Sequence, residues 1–229
     1  MITFFDKKGK LNICEDSLTA TVFDGLKYLP SQMFWRILRH SLYHNHLPEY
    51  SLCGEMVSIS FWEKWSAEGE NIDNVNFVEP DIFIRFKYID VIIEAKRYNE
   101  KQQKIHQMNK EIAAYYNEFP NEGKLLYFIQ CGGLLDKKDI KNYTYKDKTC
   151  FICKTDWTKL LDTIVTEKNR LNANNSSEAA QIRIFEDIIK GMELHQYYRK
   201  SWLSKLKPAG LNYISLKNTL LYARTESKY

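Results

Sequence analysis

Residues 79–96, "EPDIFIRFKYIDVIIEAK", hold two apolar runs with the alternation of β-strands, and Asp81, Glu94 and Lys96 stand at their ends. Burying a charge costs several kcal/mol unless it is paired, roughly 3 to 5 when one partner is missing, so acids in such strands need a reason. Suppose 81–86 and 89–96 form an antiparallel hairpin turning at Lys87 and Tyr88. Phe86 then opposes Ile89, Arg85 opposes Asp90, Ile84 Val91, Phe83 Ile92, Ile82 Ile93, and Asp81 opposes Glu94. Side chains alternate between faces. One face is Ile82, Ile84, Phe86, Ile89, Val91, Ile93 and Ala95, all apolar and suited to a core. The other is Asp81, Phe83, Arg85, Asp90, Ile92, Glu94 and Lys96.

On that second face Arg85 and Asp90 attract, whereas Asp81 and Glu94 repel. Directly opposed Cβ atoms lie about 4.5 to 5.5 Å apart, and cation–oxygen bonds run about 2.0 to 2.6 Å, so both acids can reach one ion. A divalent cation would remove the repulsion. Lys96 projects from the same face and adds a positive charge beside the metal and any phosphate it holds. The turn is the weak point, because Lys-Tyr is poor two-residue hairpin chemistry and an odd-length loop would shift the register. An ordinary ion pair on an edge strand is the plain alternative for Glu94 and Lys96, but "DVIIEAK" is too apolar for an exposed edge.

Around the hairpin the pattern is mixed. Residues 12–29 have helical spacing at Leu18, Val22, Leu26 and Leu29 and stop at Pro30. A second helix is expected from Ser31 to about His44, with Phe34, Ile37, Leu38 and Leu42 inward. Residues 56–62 alternate as a strand, and 67–74 read as a loop. A helix is expected over 99–119, a strand buried on both faces at 124–131, and another strand at 149–154. Asp156 caps a helix to about Arg170, 172–178 is a linker, and 178–198 is a long helix with Ile182, Phe185, Ile188, Ile189 and Met192 on its apolar side. Strands in the middle with helices before, between and after them argue for an α/β fold, a mixed central sheet flanked by helices with extra N- and C-terminal helices.

Pro80-Asp81, a gap, then Glu94-Ala95-Lys96 resembles the PD-(D/E)xK nuclease superfamily, over roughly residues 55–131. The resemblance implies a restriction-endonuclease-like fold and one nuclease-like domain over 1–229. Its parts would be N-terminal helices at 1–46, a catalytic α/β core at 55–170 and a C-terminal helical and basic segment at 178–229. It further implies a metal-dependent deoxyribonuclease, an endonuclease, using Mg2+, for which Mn2+ substitutes. Asp81, Glu94 and the Ala95 carbonyl would bind the ion, and Lys96 would position the attacking water and stabilise charge on the phosphate. Many members carry a glutamate on the first helix that completes the metal site, and Glu15 fits. Against this, Asn12-x-x-Glu15 also reads as a capping box. Some members carry a glutamine on the helix after the ExK strand. Gln107 matches, on a face with Glu111 and Tyr115 that is otherwise a solvated one.

The 229 residues carry a formal charge of +4. From Tyr197 onward the basic residues Arg199, Lys200, Lys205, Lys207, Lys217, Arg224 and Lys228 face one acid, Glu226, so the basic excess sits at the C-terminus. "YYRKSWLSKLKP" interleaves aromatics with Arg199, Lys200, Lys205 and Lys207, a composition for phosphate contact and base stacking, unless the aromatics merely dock the tail. DNA is the expected partner, with RNA as the other substrate class and no membrane. Cutting both strands calls for a homodimer or a larger defence complex, though no interface is legible. Five scattered cysteines make no disulfide framework, and "CFIC" is a lone pair whose sulfurs would face opposite ways on a strand. His40, His44 and His46 have zinc-like spacing on a helix, but no acid or cysteine at ligand spacing accompanies them. The glycines of "QCGGLL" make neither a phosphate loop nor a dinucleotide fingerprint. No apolar run spans a bilayer and no signal peptide opens the chain, so a cytoplasmic protein is expected. The competing class is a catalytically inactive, nuclease-like protein that binds nucleic acid or serves in assembly.

Overall fold

The computed structural model describes residues 13–66, 77–98, 101–145 and 147–199. Its elements are α1 (Glu15–Leu26), α2 (Ser31–Ser41), α3 (Tyr50–Cys53), β1 (Met56–Phe61), β2 (Trp65–Ser66), β3 (Phe77–Val78), β4 (Ile82–Phe86), β5 (Ile89–Ala95), α4 (Ile105–Glu118), β6 (Leu125–Cys131), β7 (Ile140–Tyr145), β8 (Lys148–Thr155), α5 (Trp157–Asn169) and α6 (Ser176–Leu194). This is a mixed α/β fold. Six strands lie in the order β1-β4-β5-β6-β8-β7, and β2 and β3 form a separate ribbon. The pairs β5–β6 and β6–β8 are parallel; β1–β4, β4–β5 and β7–β8 are antiparallel. Described residues up to Tyr198 form one compact unit; Arg199–Tyr229 form a second, of which only Arg199 is described.

The hairpin takes the expected register, with Ile82 opposite Ile93, Phe83 opposite Ile92, Ile84 opposite Val91 and Arg85 opposite Asp90. Its unfavourable turn is held from outside. The Lys87 N–H donates to the Glu55 carbonyl at 2.9 Å and the Tyr88 N–H to the Cys53 carbonyl at 3.1 Å, so turn chemistry is supplied by the α3–β1 connection rather than by the two residues themselves. The face expected to be apolar lies in the larger core, beneath α1, α2, α5 and α6. Phe83 and Ile92, on the other face, pack with Trp65, Met108, Ile112, Ala114 and Phe128 under α4. The sheet is therefore buried on both sides, and β6, in its middle, is a continuous apolar strand for that reason.

Several boundaries differ from expectation. The helix expected over 99–119 begins at Ile105 because the segment before it is bound to the β6–β7 loop: the Gln102 and Gln103 N–H groups donate to the Gly133 carbonyl, and the Gly133 N–H to that of Tyr98. The helix expected to His44 ends at Ser41, where Leu42 turns extended and the Tyr43 N–H joins the Lys154 carbonyl. The first helix is Glu15–Leu26, the last Ser176–Leu194. Strand β7 is exposed and polar, which hid it from an apolar pattern. Asp156 caps α5 as expected, accepting from the Lys159 N–H at 2.8 Å. Cys150 and Cys153 lie in the two different cores, on opposite faces of β8. Among the described residues no helix is long and apolar enough to cross a membrane.

His195, at the end of α6, is 1% exposed, its ring set against the main chain at Ser17. Burial lowers its pKa, the Arg97 charge adds to this, and the main chain at Ser17 offsets it in part. The unfolded chain thus takes a proton before the folded one does. Stability is full above about pH 6.5, the unfolded pKa, and falls as pH drops through it. His195→Phe is expected to flatten the melting temperature between pH 7 and pH 5; an unchanged slope would count against this assignment.

Candidate active site

Two charged clusters sit at opposite ends of β5. At the amino end Asp90, fully buried, accepts from the Tyr115 hydroxyl at 3.0 Å and is paired with Lys124 at 3.3 Å and Arg85 at 3.4 Å. Arg85 in turn holds Glu122 at 2.6 Å. That acid is surrounded by donors and needs nothing further. The carboxyl end is composed differently.

There, Asp81 precedes β4 and Glu94 and Lys96 end β5. Asp81 is 8% exposed and Glu94 3%. The Ala95 N–H donates to Asp81 Oδ2 at 2.8 Å, and the Trp62 indole to Oδ1 at 3.3 Å. The N–H and C=O of one strand residue point the same way, so the Ala95 carbonyl also lies on the Asp81 side. The Lys96 ammonium is bonded to Glu94 Oε1 and lies 3.2 Å from Glu15 Oε1. Glu15 Oε2 accepts from the Arg97 N–H at 3.0 Å. Gln107 Nε2 donates to Glu94 Oε1 at 2.6 Å. Asp81, Glu94, Lys96, Glu15 and Gln107 are thus in one place.

The capping-box explanation of Glu15 fails, since Cys14 is the N-cap and its box partner is Ser17; Glu15 is the first helical residue, turned toward Lys96. The helix face of Gln107, Glu111 and Tyr115 is not a solvated one. It divides, with Gln107 serving Glu94 and Tyr115 serving Asp90. Glu111, between them, is 1% exposed and shares a hydrogen bond with the Glu94 carboxyl. Arg199 is exposed, whereas Lys200, Lys205 and Lys207 lie outside the described residues. Tyr197, before them, docks on Trp157 and bonds the Arg97 carbonyl, whereas Tyr198 is exposed. His44 is off the helix that carries His40; His40 lies near Glu167 and His46 bonds Asp139 at 2.8 Å.

Three residues that the sequence did not single out hold Lys96 and Glu94 in position. Gln103 Nε2 bridges the Glu94 and Gly132 carbonyls, both at 3.1 Å. Trp157 donates its indole N–H to the Lys96 carbonyl at 2.9 Å. Gly132, at φ +75°, leaves no room for a side chain, because a Cβ would fall 2.1 Å from that carbonyl. The doublet in "QCGG" was the available signal, since it follows a strand and allows close backbone approach. Gln130 stands beside Glu94 in the parallel ladder and Lys154 beside Gln130, and Lys154 pairs with Asp136 at 2.8 Å.

Electrostatically the cluster is short of positive charge. Burial, and next the Glu94 charge, push the Asp81 pKa up to about 8 against the Ala95 hydrogen bond. Burial raises Glu94 also, against the opposing pull of Lys96, and burial with the charges of Glu94 and Asp81 raises Glu111. For Lys96 burial acts downward, but Glu94, Asp81 and Glu15 outweigh it and the ammonium is held charged. Glu94 and Glu111 share a carboxyl–carboxyl hydrogen bond, and no N–H donor reaches the buried Oε2 of either. As the side chains stand, no group of three or more His, Cys, Asp or Glu among the described residues is disposed around one ion. Lys96 sits on two of the acids instead. The donor set is nevertheless of the all-oxygen kind that suits a hard divalent cation, and the buried Glu94 Oε2, which no N–H donor meets, is where one would be accommodated. Thiol chemistry at Cys53, Cys131, Cys150 and Cys153 is disfavoured, since burial raises all four thiols.

The chain is similar to the uncharacterized protein PM0110 of Pasteurella multocida (strain Pm70), 28% identical over 224 residues, spanning 92% of this chain and 81% of that one. No family model matches the chain. No solved structure matches it.

Proposed function

We propose that the protein is a magnesium-dependent nuclease hydrolysing phosphodiester bonds of DNA. The observation that carries this is the convergence of Glu94 and Glu15 on Lys96 at the carboxyl end of β5, with Asp81 held by the Ala95 N–H beside them, beyond a hairpin in the required register. The carboxyl ends of strands are where open α/β sheets place ligands. Asp81, Glu94, Glu15 and the Ala95 carbonyl would hold Mg2+, or Mn2+ in its place. Such an ion neutralises phosphate charge and yields a nucleophilic hydroxide near neutral pH.

The chain's own side chains prepare the rest. Gln107 fixes Glu94 by Oε1 and leaves Oε2 without an N–H donor. Gln103 and Trp157 fix the main chain at Glu94 and Lys96. Lys96, held charged, keeps a preorganised ammonium where negative charge develops on the phosphate oxygens, the kind of term whose loss costs about 10² to 10³ in rate. Asp81 gives up its proton only near pH 8 in the ion-free site, so loading the site favours alkaline conditions. A role against foreign DNA follows only by fold-level analogy with restriction and defence nucleases.

The test is incubation of supercoiled and linear DNA with magnesium or with chelator, comparing wild type with Lys96→Ala. Products only with magnesium, and a drop of about 10²-fold or more in the variant, are expected. Full activity of Lys96→Ala would reject the proposal. One observation favours a second reading, a catalytically inactive nucleic-acid-binding or assembly protein: Lys96 already pairs with Glu94 and Glu15. In that case no products form and affinity for DNA is indifferent to millimolar magnesium.

A further inference from the structure

The acid cluster is bordered by aromatic rings with cations beside them. After β1 the chain enters the left-handed region at Trp62, with φ +49°, a conformation that a bulky residue adopts only under constraint. Its main-chain N–H donates to the Asp81 carbonyl and its indole N–H to the Asp81 carboxylate, both at 3.3 Å. Phe61 is next, ring centroids 5.7 Å away. Lys27 Nζ lies 5.7 Å from the Phe61 centroid and 5.2 Å from that of Tyr28, whose side chain is 71% exposed. Beyond Lys96, the Arg97 guanidinium lies 5.1 Å from the ring of Tyr98, also largely exposed. Trp62 and Phe61 are half-buried, so ring surface reaches solvent from Asp81 outward to Tyr28.

A surface made for the backbone of a duplex needs cations but has little use for exposed ring faces, because the bases are stacked on one another. Unpaired bases do present their faces, and stacking on aromatics combined with lysine or arginine at the phosphates is how single strands are gripped. Lys27 also pairs with Asp24 at 2.5 Å, yet both are solvent-accessible, and such a pair exchanges readily for a phosphate. Charge complementarity therefore selects an anionic polymer, and the exposed rings select its single-stranded form.

We propose that Trp62, Phe61 and Tyr28 with Lys27, and Tyr98 with Arg97, bind a single-stranded polynucleotide whose bases lie on the rings and whose backbone is led to Asp81 and Glu94. The binding stands alone; only the delivery of a phosphodiester to the acids rests on the nuclease reading.

The experiment uses the full chain in chelator, where nothing is cut, with a labelled oligothymidylate of about 20 nucleotides and a duplex of equal length. Fluorescence anisotropy is expected to give at least tenfold tighter binding of the single strand. Tyr28→Ala should weaken that binding about fivefold or more without altering duplex affinity, since one stacked base is lost. Tyr28→Phe should restore it. Indole fluorescence should be quenched by the single strand in wild type, and Trp62→Phe should lose a large part of that quenching. Equal affinity for the two forms, or single-strand binding unchanged in Tyr28→Ala, overturns the proposal. Failure of the nuclease reading would show separately, as absence of magnesium-dependent products with these affinities intact.

Discussion

Asp81→Asn is expected to abolish magnesium-dependent cleavage, by about 10³-fold or more, while making the ion-free protein more stable in alkaline solution. The opposed signs follow from one cause. The Asp81 pKa in the fold is about 8, from burial and the neighbouring Glu94, whereas an unfolded aspartate titrates near 3.9. Between these values the unfolded chain has lost its proton and the folded one still holds it. Stability from this residue is complete below about pH 4 and is lost as pH climbs toward 8, on the order of a few kcal/mol in all. Asparagine carries no charge to bury and can still accept from the Ala95 N–H through its Oδ1.

Melting temperature measured in chelator should therefore fall for wild type from pH 5 to pH 9, and fall less for Asp81→Asn. Glu94 and Glu111, also raised, leave part of the slope in the variant. Millimolar magnesium should restore wild type at pH 8 to 9 and leave the variant where it was. A wild-type melting temperature level across this range in chelator would mean that Asp81 is ionised throughout, and the charge deficit ascribed to the site would be wrong. For a binding protein of the same fold the pH slope would persist but magnesium would have no such effect, so the same titration separates the two functional readings.

How far the sequence went in specifying this site depends on which interactions are local. Period-two alternation fixed the hairpin register, because a slip of one residue would have turned Ile82, Ile84, Val91 and Ile93 out of the core. From the register alone Asp81 and Glu94 fall together. Glu15 and Gln107 were visible as types at suitable places, but their partners lie far along the chain, at Lys96 and Glu94, and only packing decides such pairings. The start of α4 was misjudged because helical propensity in 101–104 is overruled by main-chain bonds of Gln102 and Gln103 to Gly133, a residue contributed by another strand's loop. Trp157 and Gln103 bond to main-chain carbonyls, which any sequence provides, so no side-chain pattern could have announced them. Strand β7 gave no strong apolar signal because little of it is buried, and the β2–β3 ribbon because two residues per strand show no alternation, although Trp65 is buried.

The tightest point of the whole arrangement is Gly132, and Gly132→Ala is expected to cost roughly 3 to 5 kcal/mol, from a left-handed backbone and forced overpacking together. A Cβ there would stand 2.1 Å from the Lys96 carbonyl oxygen, 3.2 Å from its carbon and 3.3 Å from Trp157 Nε1. None of these is the loose end of a flexible side chain, so the strand end itself must move. That displacement takes away the Trp157 bond to Lys96 and shifts the Lys96 ammonium relative to Glu94 and Glu15. A melting temperature lower by about 10 °C is expected for a chain of this size. Gly123→Ala is the matched comparison, since Gly123 has φ +64° but nothing within 4 Å of its added Cβ. It carries the backbone penalty alone, about 1 to 2 kcal/mol. Because Gly133 supports Lys96 from the next position, with a Cβ site 2.6 Å from that of Lys96, Gly133→Ala should behave like Gly132→Ala. If Gly132→Ala and Gly123→Ala melt alike and keep equal activity, Lys96 is not gripped by the β6–β7 loop, and its placement by backbone packing is mistaken.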